Sequence, residues 1–340
     1  MNQIYNNSDA LEIFRSISLF NQDITLDKIS AIRDKFYGYD KYAFYKQTRE
    51  VSIDNPCMDE TGRYKVKSKS TTFDCLFFLP STSIAINKLY VSFSSANVFG
   101  KNRKYPTFTR WTYYNILDGY YICIEDPMYK RYPNAGATWF FGNKNASYVD
   151  EIKLLIAHLM VKYNVLPSNV YFTGSSQGGS VAIMLGNLVN NSNVFAMNPQ
   201  YDPAAFSIQC VNFFQEHLNV DIHDSSLTNF NFIPNNYTSR FFICTNCNSK
   251  SDFIQLEILS KIKTFPIFYG IHQYDNLTLW NHFSGESHTA FPEKLLFLFC
   301  LYYIDLIKNN ISLVGLNAFH ILMSEMLYQR YSLFNTNKTN

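Results

Sequence analysis

"NVYFTGSSQGGSVAIMLG", residues 169–186, sets two serines and three glycines between two apolar runs. The chain has only 13 glycines in 340 residues, so three within positions 174–179 mark a place where side chains do not fit. "NVYFTG" (169–174) has the short, aromatic and β-branched pattern of a buried strand, and "SVAIMLGNLV" (180–189) that of an apolar helix. Between them, Gly174-Ser175-Ser176-Gln177-Gly178 is a G-x-S-x-G pattern in a strand–turn–helix setting. The central serine of such a turn is strained and exposes its hydroxyl. Strand and helix come so close that the residues two before and two after it must be small. Gly174 and Gly178 meet that demand, and Gly179 eases the helix entry. By spacing, Ser176 is the candidate nucleophile and Ser175 only its neighbour. The following helix N-terminus aims N–H groups at the same point, which favours a developing oxyanion. The lysine of a phosphate-binding G-x-x-x-x-G-K-[ST] loop is missing.

Hydrophobic residues make up 47% of the chain, enough for one large α/β domain with extensions. Charge is nearly balanced, 29 basic against 27 acidic residues, which argues against nucleic acid as a partner. Two basic stretches, "GRYKVKSK" (62–69) and "KNRKYPTFTR" (101–110), read either as solvated surface or as contacts to an anionic substrate or cofactor phosphate. Seven cysteines without a regular framework point to a reducing compartment. "CTNC" (244–247) lacks the second ligand pair that zinc requires, so no metal is expected. The N-terminus shows no basic segment followed by an apolar one, and "LLFLFCLYYIDLI" (295–307) is too short for a membrane span and is interrupted by Asp305. A cytoplasmic protein with no transmembrane segment is the expectation.

Residues 1–68 read as a polar N-terminal extension with two short helices, "DALEIFRSI" and "LDKISAIRDKF". From 69 to 310 strands and helices alternate. Strand patterns fall at 72–80, 88–95, 120–127, 169–174, 193–198, 240–246 and 265–272, and helical ones at 148–163, 180–189, 252–262 and 292–308. That alternation predicts an α/β fold with a mostly parallel sheet covered on both faces. Residues 200–239 lack rhythm and have room for a cap insertion. Residues 311–340 read as a further helix and a polar tail.

With these residues in view, the region from about 72 to 308 resembles the α/β-hydrolase fold, a three-layer sandwich. The "GSSQGG" turn and the following "AMNPQ" (196–200) resemble a bacterial group that includes capsular polysaccharide O-acetyltransferases and related capsule-biosynthesis proteins. "FTRW" (108–111), "IEDP" (124–127) and "TWFFGN" (138–143) are similar to segments of the same group.

In that fold the nucleophile is followed in the chain by an acid and then a histidine. The histidine belongs in the loop before the last helix, "WNHFSGESHTAFPEKLL" (280–296), where His288 fits best and His282 is the alternate. The acid belongs after the strand "RFFICTN". Asp252 is the first acidic residue there, at a helix start where the dipole alone would also favour it, and Asp275 is the rival. The oxyanion hole would take the backbone N–H of Gln177 and that of Ser95 or Ala96. Arg110 and Trp111 follow in the same loop as substrate-binding candidates. The resemblance implies a serine acyltransferase that moves an acetyl group from acetyl-CoA to a capsular or surface polysaccharide. It further implies capsule glycosyltransferase or export machinery as partners, at the periphery of the inner membrane. Two alternatives stay open: a carbohydrate esterase or other serine hydrolase, and a non-catalytic capsule assembly or export accessory protein.

Overall fold

The computed structural model describes residues 47–80, 87–96, 105–143, 146–222, 238–283, 288 and 294–308. Its strands are β1 (Thr48–Ser52), β2 (Gly62–Lys67), β3 (Thr72–Phe78), β4 (Leu89–Phe93), β5 (Tyr120–Ile124), β6 (Val170–Ser175), β7 (Asn193–Met197), β8 (Arg240–Asn246), β9 (Gly270–Tyr274) and β10 (Leu277–His282). Its helices are α1 (Met128–Arg131), α2 (Tyr148–Lys162), α3 (Gln177–Leu188), α4 (Pro203–Phe206), α5 (Ile208–Phe213), α6 (Lys250–Lys263) and α7 (Lys294–Lys308). The strands form one sheet in the order β1-β2-β3-β5-β4-β6-β7-β8-β10-β9. The run β5-β4-β6-β7-β8-β10 is parallel throughout. β3 pairs antiparallel with both β2 and β5, and β9 pairs antiparallel with β10.

Period-two alternation sends each strand's side chains to opposite faces. Val91, Phe93, Phe172, Ala196 and Ile243 join one core cluster with residues of α2, α3 and α6. Tyr90, Tyr171, Phe195 and Phe242 join another with Phe108, Ile116 and α7. The result is the expected three-layer α/β sandwich. α2 shows why a helix forms and which face it buries. Ser147 caps its N-terminus by accepting from Asp150 N–H, two acids occupy its first turn, and Val149, Ile152, Ile156 and Leu159 line one side. α7 is fastened at the other end of the sheet. Asp305, the one charge in its apolar run, accepts from Lys88 Nζ (3.0 Å) and from the Tyr171 hydroxyl, and Lys88 also reaches Asp118 (3.1 Å).

Three expectations need adjusting. Residues 48–67, assigned above to the extension, supply β1 and β2 of the sheet itself. β2 alternates: Tyr64 and Val66 are buried on the core side, while Arg63 pairs with Asp74 (2.6 Å) and Lys67 with Glu50 (2.6 Å). Part of the first basic stretch is therefore an ion-paired sheet margin. The strand expected at 265–272 begins only at Gly270, and the last parallel strand is β10, which the sequence reading did not separate. The two are a hairpin turning at Asp275-Asn276, with Asp275 in the left-handed region (φ 48°) that aspartate tolerates. His282 thus ends a strand instead of lying in a loop. Within the expected cap, residues 203–218 form short helical turns. The two N-terminal helices, the 311–340 helix and tail, and most of the 223–239 segment lie outside the described residues.

If β1 and β2 belong to the sheet, a chain beginning at residue 69 should be far less stable than one beginning at residue 47. Losing Tyr64 and Val66 from the core costs about 2–5 kcal/mol each, and at roughly 2–4 °C per kcal/mol the melting temperature should fall by about 10 °C or more. Equal melting temperatures in a thermal scan would show the two strands to be dispensable.

Candidate active site

Ser176 stands between β6 and α3 with φ 55° and ψ −127°, a conformation that L-residues rarely adopt. Its N–H donates to Met197 O of β7 (2.9 Å), and its carbonyl accepts from Ser180 N–H (3.1 Å) to open the helix. The glycines permit this crossing. A Cβ on Gly174 would lie 2.2 Å from the carbonyl of Gly178, and one on Gly178 would lie 2.7 Å from Phe93 O and 2.8 Å from Ser94 O. Backbone meets backbone at both points, so no side-chain adjustment relieves the clash.

β6, β7, β8 and β10 are parallel neighbours, so their carboxyl ends share one edge, where open α/β sheets bind ligands. Ser176 follows β6 and Asp252 lies in the first turn of α6, just after β8. His288 lies between β10 and α7. Its Nδ1 is 2.5 Å from Asp252 Oδ1. A carboxylate accepting from Nδ1–H fixes the tautomer and leaves Nε2 as the basic nitrogen. Asp252 is 2% exposed, and burial pushes its carboxyl above the usual range; the hydrogen bond and charge of His288 pull the other way. Asp275, the rival acid, sits on the exposed β9–β10 turn at the opposite end of β10. His282, the alternate base, is buried at the end of β10 beside Trp280.

Asn198, in the left-handed region at φ 43°, ties these pieces together. Its Nδ2 donates to His288 O (3.0 Å), its Oδ1 accepts from Asn246 N–H (2.8 Å), and its own N–H reaches Cys244 O (2.7 Å). α6 contributes a second clamp one turn past Asp252. Gln255 Oε1 accepts from the N–H groups of Tyr201 (2.6 Å) and Asp202 (2.8 Å). The thiol of Cys247, beside the acid, is pushed up to about 12 by burial and by Asp252, so it stays protonated at neutral pH.

The hydroxyl of Ser176 accepts from Gln200 Nε2 at 2.9 Å. Gln200 Oε1 accepts from Trp139 Nε1 (2.8 Å), and the Gln200 backbone exchanges both its bonds with the Ser180 hydroxyl. Trp139 and Phe140 are both left-handed (φ 46° and 53°). Asp126 holds this loop, its Oδ2 accepting from Thr138 Oγ1 (2.6 Å) and Phe140 N–H (2.8 Å). The Gln177 side chain completes the clamp, its Oε1 accepting from Thr138 N–H (2.9 Å), Trp139 N–H (3.3 Å) and Tyr129 OH (2.9 Å). Phe206 links the two halves, its ring 5.5 Å from that of His288 and 6.4 Å from that of Trp139.

On the other flank, Arg110 Nη1 donates to Ser175 Oγ (2.7 Å), which also bonds Ser95 Oγ (2.6 Å). Ser175 is thus more than a neighbour: it anchors the arginine beside the nucleophile turn. Trp111 packs against the α7-side core. Of the two oxyanion candidates after β4, Ser95 directs its N–H to Thr109 Oγ1 (3.1 Å). Sequence reading missed Gln200, Trp139, Asn198 and Asp126 as site residues. Their signal was present in "AMNPQ", "TWFFGN" and "IEDP", which were noted only as resemblances.

No family model matches the chain, and no curated protein matches it in sequence. Solved structures do match in shape. The capsule O-acetyltransferase of Neisseria meningitidis serogroup A aligns with TM-score 0.53 and 17% identity, over 75% of this chain and 98% of that one. A mutant of that enzyme in complex with CoA aligns with TM-score 0.50 and 16% identity, over 74% and 95%. The glycosylation-associated protein (Gap123) complex of Streptococcus agalactiae contains a chain aligning with TM-score 0.51 and 14% identity, over 74% of this chain and 47% of that one. At these identities the likeness shows the fold alone, an α/β-hydrolase-like three-layer sandwich. Among the described residues, no helix is long and apolar enough to cross a membrane.

Two outcomes test this geometry. Gly178→Ala forces backbone to move and should cost about 1–3 kcal/mol in denaturant unfolding; a wild-type midpoint would refute the close crossing. Asp252→Asn probes the buried acid. Because folding raises its pKa, the group favours the folded state most below the ordinary value of 3.8, and that contribution is lost as pH rises through the folded value. The asparagine variant should therefore melt at or above the wild-type temperature at about pH 7.5, with the gap closing in acid. A variant less stable at neutral pH than in acid, relative to wild type, would contradict the burial argument.

Proposed function

We propose that the chain is a serine-dependent acyltransferase that moves an acetyl group from acetyl-CoA to a hydroxyl of a capsular or surface polysaccharide. The observation that carries the reading is the strained Ser176 turn sharing one sheet edge with the Asp252–His288 pair. His288 Nε2 takes the Ser176 proton as Oγ attacks the thioester carbonyl. The C–S bond breaks, and the departing CoA thiolate leaves with that proton. The polysaccharide hydroxyl then attacks the acyl-serine, His288 takes its proton, and the C–Oγ bond breaks with the proton returned to Oγ. Asp252 orients His288 and stabilises its cationic form. The N–H of Gln177 and that of Ala96 receive the oxyanion; Ala96 is preferred to Ser95, whose N–H already has Thr109. Arg110, held beside the turn, offers positive charge for CoA phosphates or an anionic polymer.

The likeness to a capsule O-acetyltransferase over nearly that enzyme's whole length, and the CoA complex of a mutant, support the transferase reading. Water in place of the sugar would make the same machinery an esterase. The likeness to a chain of the glycosylation-associated complex favours a second reading, a non-catalytic accessory protein in glycan assembly.

A fluorophosphonate probe should label wild type, and Ser176→Ala and His288→Ala should abolish labelling. Acetyl transfer from labelled acetyl-CoA to bacterial polysaccharides should fall by about three orders of magnitude or more in either variant. Full biological function of Ser176→Ala together with co-purification of a glycosyltransferase would instead establish the accessory role. Ester turnover indifferent to added polysaccharide would make the protein a hydrolase.

A further inference from the structure

Resting on Ser176 as nucleophile, we infer that Gln200 is a catalytic hydrogen-bond donor to Ser176 Oγ, and that it acts on the departure of that oxygen from the acyl-enzyme. The carboxamide orientation follows from chemistry. An indole N–H can only donate, so the Gln200 oxygen must face Trp139 Nε1 and the NH2 must face Ser176. At 2.9 Å, Nε2–H then donates to the nucleophile's oxygen, leaving the hydroxyl proton for a base. The described neighbours hold the amide in this orientation. Gln200 is 1% exposed and Trp139 2%, the Gln200 backbone is locked to Ser180, and the Trp139 loop is held by Asp126 and Gln177.

A fixed donor accelerates the step in which its partner gains negative charge. During acylation, Oγ gives up its proton to His288 but shares the electron pair with the carbonyl carbon at once, so the donor's effects on pKa and on nucleophilicity oppose each other. During deacylation the acceptor oxygen bonds the acyl carbon, and the C–Oγ bond breaks as His288 returns the proton to Oγ. The free hydroxyl already accepts from Gln200, whereas an ester oxygen accepts only weakly, so the Gln200 bond gains more in this step than in acylation. The carboxamide also suits its neighbour: a carboxylate in its place would accept the serine proton and compete with His288.

The test is acylation and deacylation measured separately with p-nitrophenyl acetate, by burst kinetics and by intact mass of the acetyl-enzyme, on the full chain. Gln200→Leu should acylate within about threefold of wild type and deacylate about 10–100-fold more slowly, so that acetyl-enzyme accumulates. Gln200→Glu, which reverses the donor at neutral pH, should slow acylation as well. Trp139→Phe keeps Gln200 but frees its carboxamide to rotate, and should show the Gln200→Leu partition at smaller amplitude. Trp139→Phe also decides the matter if Gln200→Leu fails to fold. Equal loss in both steps would mean a merely structural residue, and an unchanged deacylation rate would overturn the assignment outright. If Ser176→Ala is acetylated as readily as wild type, the serine reading itself fails and this one with it; acetylation confined to Ser176 with unaltered Gln200 variants overturns only the role of Gln200.

Discussion

The crossing of β6 and α3 over β4 is the constraint on which the rest of the molecule depends. Ser176 at φ 55° and ψ −127° stores strain of order 1–3 kcal/mol. It is held there because α3 is buried along its length on the sheet, because Met197 receives the serine N–H, and because two glycines let the chains touch. Were the turn to relax, α3 would swing off β7. Gln177 would then leave the Thr138–Trp139 loop, and Ser180 would leave Gln200.

The second requirement is the pairing of the buried polar groups around the nucleophile turn. Asp126, Gln177, Ser180 and Gln200 are each at most 2% exposed, and each meets named donors or acceptors. A buried polar group without a partner costs more than a satisfied bond contributes. Two left-handed non-glycine residues, Trp139 and Phe140, are therefore tolerated where the carboxylate and carboxamide leave the loop no cheaper arrangement. The network also reaches β4, through Asp126 N–H to Ser94 Oγ and Gln177 Nε2 to Ser94 O, so the segment leading to Ala96 is set by the same residues.

Much of this was legible from local pattern. "RFFICTN" became β8 without a residue's shift, and the Gly174–Gly178 pair announced the turn because close approach leaves a compositional trace. Asp252 and His288, 36 positions apart, are candidates by chain order, and the structure brings them into hydrogen-bond contact. What pattern could not reach was the identity of partners. Gln200 and Trp139 are 61 positions apart, and neither a glutamine nor a tryptophan declares its partner in one sequence. β1 and β2 were missed because a strand at a sheet margin is half polar and reads as extension. β10 was missed because its turn is Asp275-Asn276, without the glycine that usually marks a hairpin.

The helix that covers one face of the sheet is made after the strands it covers. Leu296, Phe297, Phe299, Cys300 and Tyr303 of α7 close over Tyr90, Tyr171, Phe195 and Phe242, whose strands are complete by residue 246. At about 5–20 residues per second, a ribosome needs roughly 3–12 seconds to go from there to Lys308. For that interval an aromatic sheet face is wet and can be met by another nascent chain. The Lys88–Asp305 and Tyr171–Asp305 contacts end the exposure by fixing the late helix to strands made long before it. Closure of that face during synthesis thus waits on the arrival of α7.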